Sequence, residues 1–144
     1  MQDAAKEGGA RVKVIFENDY HIGHEDRIIK LAQICSEVGV AWVKTSTGFG
    51  FVKGSDGKYS YQGAQLAHLR LMKEHAKGCE LKAAGGVRSL EALLAVVAAG
   101  CTRVGASATK ALVEEARQAI AEGKDLASMV PVGAAGDASV GGTY

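Results

Sequence analysis

Apolar and polar positions change period in a regular order along the chain. Arg11–Phe16 is short, β-branched and apolar, which predicts a strand. From Glu25 to Val38, Ile28, Ile29, Leu31, Ala32, Cys35 and Val38 recur at helical spacing, and Gly39 is a natural stop. Val40–Thr45 reads as a second strand. The stretch from Ser46 to about Ser60 carries Gly48, Gly50, Gly54 and Gly57 and predicts a loop. Gln62 to about Ala76 predicts a helix with Leu66, Leu69, Leu71 and Met72 toward the core. Glu80–Ala84 predicts a third strand, although alanine and lysine are poor strand formers. Ser89 can cap a helix running to about Ala99, with Glu91 in its first turn and Gly100 at its end. Thr102–Gly105 predicts a short fourth strand. Ser107, as N-cap, opens a last helix reaching about Glu122.

Strand and helix thus alternate four times, which implies a parallel sheet with right-handed crossovers. The predicted class is α/β, TIM-barrel type: a (β/α)4 half barrel. A complete barrel of this kind takes about 250 residues, and this chain has 144. Residues 1–132 are expected to form one domain. Residues 133–144, rich in Gly, Ala and Ser, are expected to form a flexible tail. An open four-stranded sheet leaves two edges and half a core face uncovered. A homo-oligomer or a complementing half barrel is therefore expected in place of a lone monomer.

Composition narrows the partners. Seventeen basic and sixteen acidic residues give a formal charge of +1, with no field to steer nucleic acid or an anionic membrane. An anionic ligand would have to be held by local groups. Cys35, Cys79 and Cys101 have no metal-ligand spacing and read as reduced structural thiols. Met1–Gly9 is polar and charged, so no secretory leader is expected. Ala92–Ala99, the longest apolar run, is far short of the roughly 20 residues that span a bilayer. The expected location is the cytoplasm. His21, His24, His68 and His75 form no triad or metal spacing and read as surface or helix residues, and no metal or cofactor is implied.

Three motifs can carry chemistry. In Val43–Phe49, strand alternation puts Trp42 and Lys44 on one face and Ala41 and Val43 on the other. With the apolar pair against the helices, Lys44 points inward at the C-terminal end of its strand, where barrel active sites lie. Burial lowers a lysine's pKa and leaves more free amine, the nucleophile of Schiff-base chemistry. The alternative is a surface lysine that ends a strand. Lys82, on the next strand, would repel the charged form of Lys44 at the roughly 4.8 Å spacing of strands. Gly85 and Gly86 let backbone N–H groups approach an anion ahead of a helix, and Arg88 can add a charged contact. The alternative is a tight turn with an exposed arginine. Gly105 and Ser107 form the turn after the last strand, and a phosphate site from the last two βα loops recurs in barrels. Trp42 reads as packing below Lys44.

The motifs VKTSTGFGF, KAAGGVRS and RVGAS, in this order and spacing, resemble the deoxyribose-phosphate aldolases. VKVIFE looks like that family's fifth strand, and the likeness runs from about Val12 to Ala121. It implies strands five to eight of the barrel, no cofactor, and a class I lyase of deoxyribonucleotide catabolism. The implied reaction is reversible cleavage of 2-deoxy-D-ribose 5-phosphate to acetaldehyde and D-glyceraldehyde 3-phosphate. By resemblance, Lys44 forms the imine and Lys82 tunes it. Thr47, Gly48, Gly85, Gly86, Gly105 and Ser107 line the phosphate end, and Tyr144 assists proton transfer at the enamine carbon. Three departures stand out: Ala108 where many members have serine, Phe49 where some have lysine, and no counterpart of the N-terminal half with its proton-relaying aspartate. Neither Asp19 nor Asp26 aligns with that aspartate. The alternative is an impaired half barrel that keeps phosphate binding or serves as an oligomerising module.

Overall fold

The computed structural model describes residues 1–131. A short helix α1 (Gln2–Glu7) precedes β1 (Lys13–Ile15), and a 3-10 turn (Asn18–His21) leads into α2 (Glu25–Val38). Next come β2 (Trp42–Lys44), β3 (Val52–Lys53), β4 (Tyr59–Ser60), α3 (Leu66–His75) and β5 (Glu80–Ala84). α4 (Leu90–Ala98), β6 (Cys101–Gly105), α5 (Thr109–Ala121) and a closing 3-10 turn (Leu126–Met129) complete the described chain. β1, β2, β5 and β6 pair in that order, all parallel. That arrangement is the four-unit βα half barrel expected from the alternation.

Local chemistry sets some boundaries. Gly39 ends α2 at φ 75°, a conformation that costs glycine nothing. The Ser89 hydroxyl accepts the Ala92 N–H and caps α4. Ser107, by contrast, does not cap α5. Ala108 stands at that position without a side-chain hydrogen bond, and the Thr109 hydroxyl bonds the Ala106 carbonyl instead. The predicted loop after β2 contains a small antiparallel hairpin, β3 with β4. It turns where the Gly54 N–H donates to the Lys58 carbonyl and the Asp56 carboxylate accepts the Lys58 N–H. Strands of two residues carry too little alternation to show in the sequence.

One face of the sheet is dry. Val43, Leu81, Ala83 and Cys101 join Ile28, Ala32, Leu69, Met72 and Val96 in a single buried cluster, so the helices cover that face. Val38, expected on the apolar side of α2, is exposed. The other face carries Lys13, Ile15, Trp42, Lys44, Lys82 and Arg103, and Ile15 remains 40% exposed there. Arg103 reaches this face through a bulge. Leu81 pairs with Cys101 but Lys82 pairs with Arg103, which leaves Thr102 as the extra residue. Trp42 is buried (4% exposed), although outside the apolar cluster. The guanidinium groups of Arg11 and Arg103 stack over its ring at 4.2 and 3.8 Å. Its indole N–H donates to Glu80, which also receives the Thr102 hydroxyl.

Among the described residues no helix is long and apolar enough to cross a membrane.

Candidate active site

Parallel strands joined by helices end on a common edge, so the loops that follow β2, β5 and β6 meet there. They enclose a cavity of about 310 Å³. Lys44, Thr47, Gly48, Lys82, Gly85, Gly86, Arg88, Gly105 and Ser107 all line it, drawn from three separate stretches of sequence. Thr45 holds the wall together: its hydroxyl donates to the Ala84 carbonyl at 3.0 Å and accepts the Ala84 N–H at 3.1 Å. Its own N–H donates to the Lys82 carbonyl. Gly85 and Gly86 both adopt positive φ, at 95° and 77°, which a residue with a Cβ resists. A Cβ on Gly105 would meet that of Ala84 at 3.2 Å and Lys82 Cε at 3.5 Å, so glycine there leaves the lysine room.

Lys44 and Lys82 are direct register partners on adjacent strands and share the inner face. Burial, first, and then the charges of Lys82 and Lys13 hold the Lys44 amine below its usual range, while Glu17 pulls the other way. Lys82 is also lowered, by burial and then by Lys13 and Arg103. The two ammonium groups oppose each other's charge, and the other cations of this face add to the repulsion. An amine so placed can attack a carbonyl, with a cation beside it and amide-rich turns a few residues away.

Two lining or supporting residues had no clear signal in the sequence. Tyr61 is buried in the wall, edge-on to Phe51 with ring centroids 5.3 Å apart. The β3–β4 hairpin delivers it, within a stretch whose glycines predict a loop. Glu17 follows β1 and takes both the N–H and the hydroxyl of Thr47. Its place at a strand end was the only hint. Phe49 stands 83% exposed at the cavity mouth.

Other residues fall elsewhere. Tyr144 and the expected tail lie outside the described residues. Asp26 is in the exposed first turn of α2, whereas Asp19 is buried and outside the cavity's lining. His68, read as a surface or helix residue, lies in α3 but is buried, 3.8 Å from Glu25. Burial holds its pKa below the usual histidine value, with Glu25 opposing. No three His, Cys, Asp or Glu side chains converge on a metal-sized site among the described residues.

No family model matches the chain. Curated relatives do. A deoxyribose-phosphate aldolase of Rhodopirellula baltica is 45% identical over 111 residues, 76% of this chain and 41% of that protein. One from Thermococcus gammatolerans is 42% identical over 117 residues, 80% of this chain and 46% of its own length. Among solved structures, an aldolase called QR15 superimposes with a TM-score of 0.69 at 34% identity, over 84% of this chain and 50% of that one. A tetrameric deoxyribose phosphate aldolase from Aeropyrum pernix gives 0.65 at 28% identity, over 80% and 45%. The chain spans about half the length of the curated relatives it matches. These neighbours share the TIM-barrel type of fold, with this chain as a half barrel. On sequence and structure together, this chain is a member of the deoxyribose-phosphate aldolase family.

Proposed function

We propose that this chain carries the lysine-bearing wall of a class I aldolase acting on 2-deoxy-D-ribose 5-phosphate. The observation that carries the reading is the register pairing of Lys44 with Lys82 in the lining of a cavity ringed by glycine turns. The neutral Lys44 amine adds to the substrate aldehyde, and the carbinolamine takes up a proton and loses water to form a protonated imine. A base removes the proton of the C3 hydroxyl, the C2–C3 bond breaks, and D-glyceraldehyde 3-phosphate leaves. The bonding electrons pass into the imine, giving an enamine. Protonation at C2, assigned by resemblance to Tyr144, and hydrolysis then release acetaldehyde and free Lys44. Burial, and then the charge of Lys82, lower the Lys44 pKa and so favour its nucleophilic free amine. Thr47, Gly48, Gly85, Gly86, Gly105 and Ser107, with Arg88 at the rim, form the phosphate end. The role belongs to deoxyribonucleotide catabolism in the cytoplasm.

The uncovered inner face bears on the partner. Lys13, Lys44, Lys82 and Arg103 line it, with Arg11 stacked on Trp42 and Glu80 as the acid paired with that ring, so cations predominate. A second copy laid face to face would oppose like charges. A complementing half barrel with inward carboxylates fits this charge better and would supply the proton-relay acid. The second reading, a half barrel that binds phosphate without catalysis, has that same open face as its support.

Borohydride trapping with acetaldehyde, read by mass spectrometry, tests the proposal. A two-carbon adduct on Lys44, lost in Lys44→Ala, is the expected result. No adduct, but phosphate binding by calorimetry, favours the second reading. A full adduct in Lys44→Ala sinks the assignment.

A further inference from the structure

A carboxylate buried behind a site meant for an anion is electrostatically costly, and Asp19 is such a group. It follows β1, is 3% exposed, and lies one layer behind the glycine turn. Its oxygens accept the N–H groups of Gln62 and Gly63, more than forty residues away in sequence. The bond to Gly63 is shared by both oxygens at 3.2 Å. A carboxylate suits this place because both of its oxygens accept; an amide could keep one oxygen for Gln62 but would turn its NH2 toward the Gly63 donor.

The tethered residues press directly on the cavity wall. Ala64 N–H donates to the Gly85 carbonyl at 3.1 Å. Gly63 has φ +71°, and a Cβ there would come within 2.6 Å of that same carbonyl oxygen. A Cβ on Gly85 would in turn sit 3.1 Å from Gly63 Cα. The two backbones touch with no side chain between them, so the path of one fixes the path of the other.

We infer that Asp19 is a positioning residue for the anion end of the cavity: it anchors the Gln62–Gly63 turn, which braces Gly85 and so aims the Gly85–Gly86 amides. The ligand class, a phosphoryl group, rests on the function proposed above; the bracing does not. The carboxylate's charge is spent on backbone amides, which explains its place behind an anion site.

The test compares wild type with Asp19→Asn, and with Asp19→Ala where that variant folds by circular dichroism. Three readouts are needed: affinity for inorganic phosphate by calorimetry, acetaldehyde trapping on Lys44, and hydrogen exchange of the Gly85–Val87 amides. For Asp19→Asn the expected result is phosphate affinity lower by about tenfold, the scale of one lost charge-assisted hydrogen bond. Trapping should stay within about twofold, because the β2 register does not depend on Asp19. Exchange at Gly85–Val87 should quicken while Leu81–Ala83 stays protected. Unchanged exchange at Gly85–Val87, or a parallel loss of trapping and strand protection, overturns the inference. Should wild type bind no phosphate, the phosphate reading fails, and the exchange data alone decide the role of Asp19.

Discussion

Glu17 accepts two hydrogen bonds from Thr47, from its N–H at 2.9 Å and from its hydroxyl at 2.6 Å. Glu17 itself sits at φ 55°, the only non-glycine residue in the left-handed region among those described. Such a conformation costs about 1–3 kcal/mol and persists only where its surroundings insist on it. Gly50 is part of that insistence, since a Cβ there would lie 2.5 Å from the Glu17 side chain.

Replacing Glu17 by Gln keeps the shape and removes the charge. Glu17 is the one group that pulls the Lys44 pKa upward, so its neutralisation lowers that pKa further. The pH profile of acetaldehyde trapping should move to lower pH. A profile that stays in place, or moves up, would separate Glu17 from the electrostatics of Lys44.

Lys82→Leu acts in the opposite sense. Removing the neighbouring cation lets the Lys44 pKa rise, so less free amine exists near pH 7. Trapping should slow about tenfold for each unit of rise and recover on the alkaline side. Equal rates at neutral pH in the two proteins would take Lys82 out of the mechanism.

The lowered pKa of Lys44 also makes stability depend on pH. Below its folded value the lysine is protonated in both states, and the cost of holding the cation is present in full. Between that value and the ordinary 10.5, the unfolded chain binds the proton more, so stability rises with pH. The buried thiols have the reverse sign. Desolvation pushes Cys35 up to about 11 and Cys101 up to about 12, so above their ordinary value of 9.0 they favour the unfolded chain. The expected outcome is therefore read as a difference. In urea titrations from pH 8 to 10.5, wild type should gain on Lys44→Met as pH rises. A wild-type minus variant difference that is flat or falls with pH would contradict the depressed pKa. The same burial should keep Cys35 and Cys101 silent to thiol reagents at pH 8 until denaturant is added.

Thr45→Val preserves shape but strips the Ala84 N–H and carbonyl of their shared partner in a buried place. A loss of about 1–3 kcal/mol is expected, seen as a lower urea midpoint with an unchanged slope. A midpoint within error of wild type would mean that the wall holds without this hydroxyl.

Much of the architecture was legible because its causes are local. The Ser89 cap and the glycine stop at Gly39 each follow from a few neighbouring residues. The βα alternation then dictated the rest. Parallel strands must end on one edge, so the loops bearing Thr47, Gly85 and Gly105 had to meet, and they do. Ser107 shows the limit even of local reading: a serine before a helix is a good cap only if the chain enters at the right residue, and here it enters one later.

Sequence by itself determined the order of strands and helices, the face that Lys44 shares with Trp42 and the glycines where backbone comes close. Tertiary structure alone decided three things. The bulge at Thr102 turned Arg103 from the helix side, where simple alternation from Cys101 would place it, to the side of Lys82 and Trp42. The hairpin brought Tyr61 into the wall, and the turn after β1 set Glu17 and Asp19 against loops thirty and more than forty residues away. The physical reason is common to all three. A period of two or 3.6 reports which side a residue takes within its own element, whereas register shifts and contacts between loops are fixed by pairing with distant chain, which no local period records.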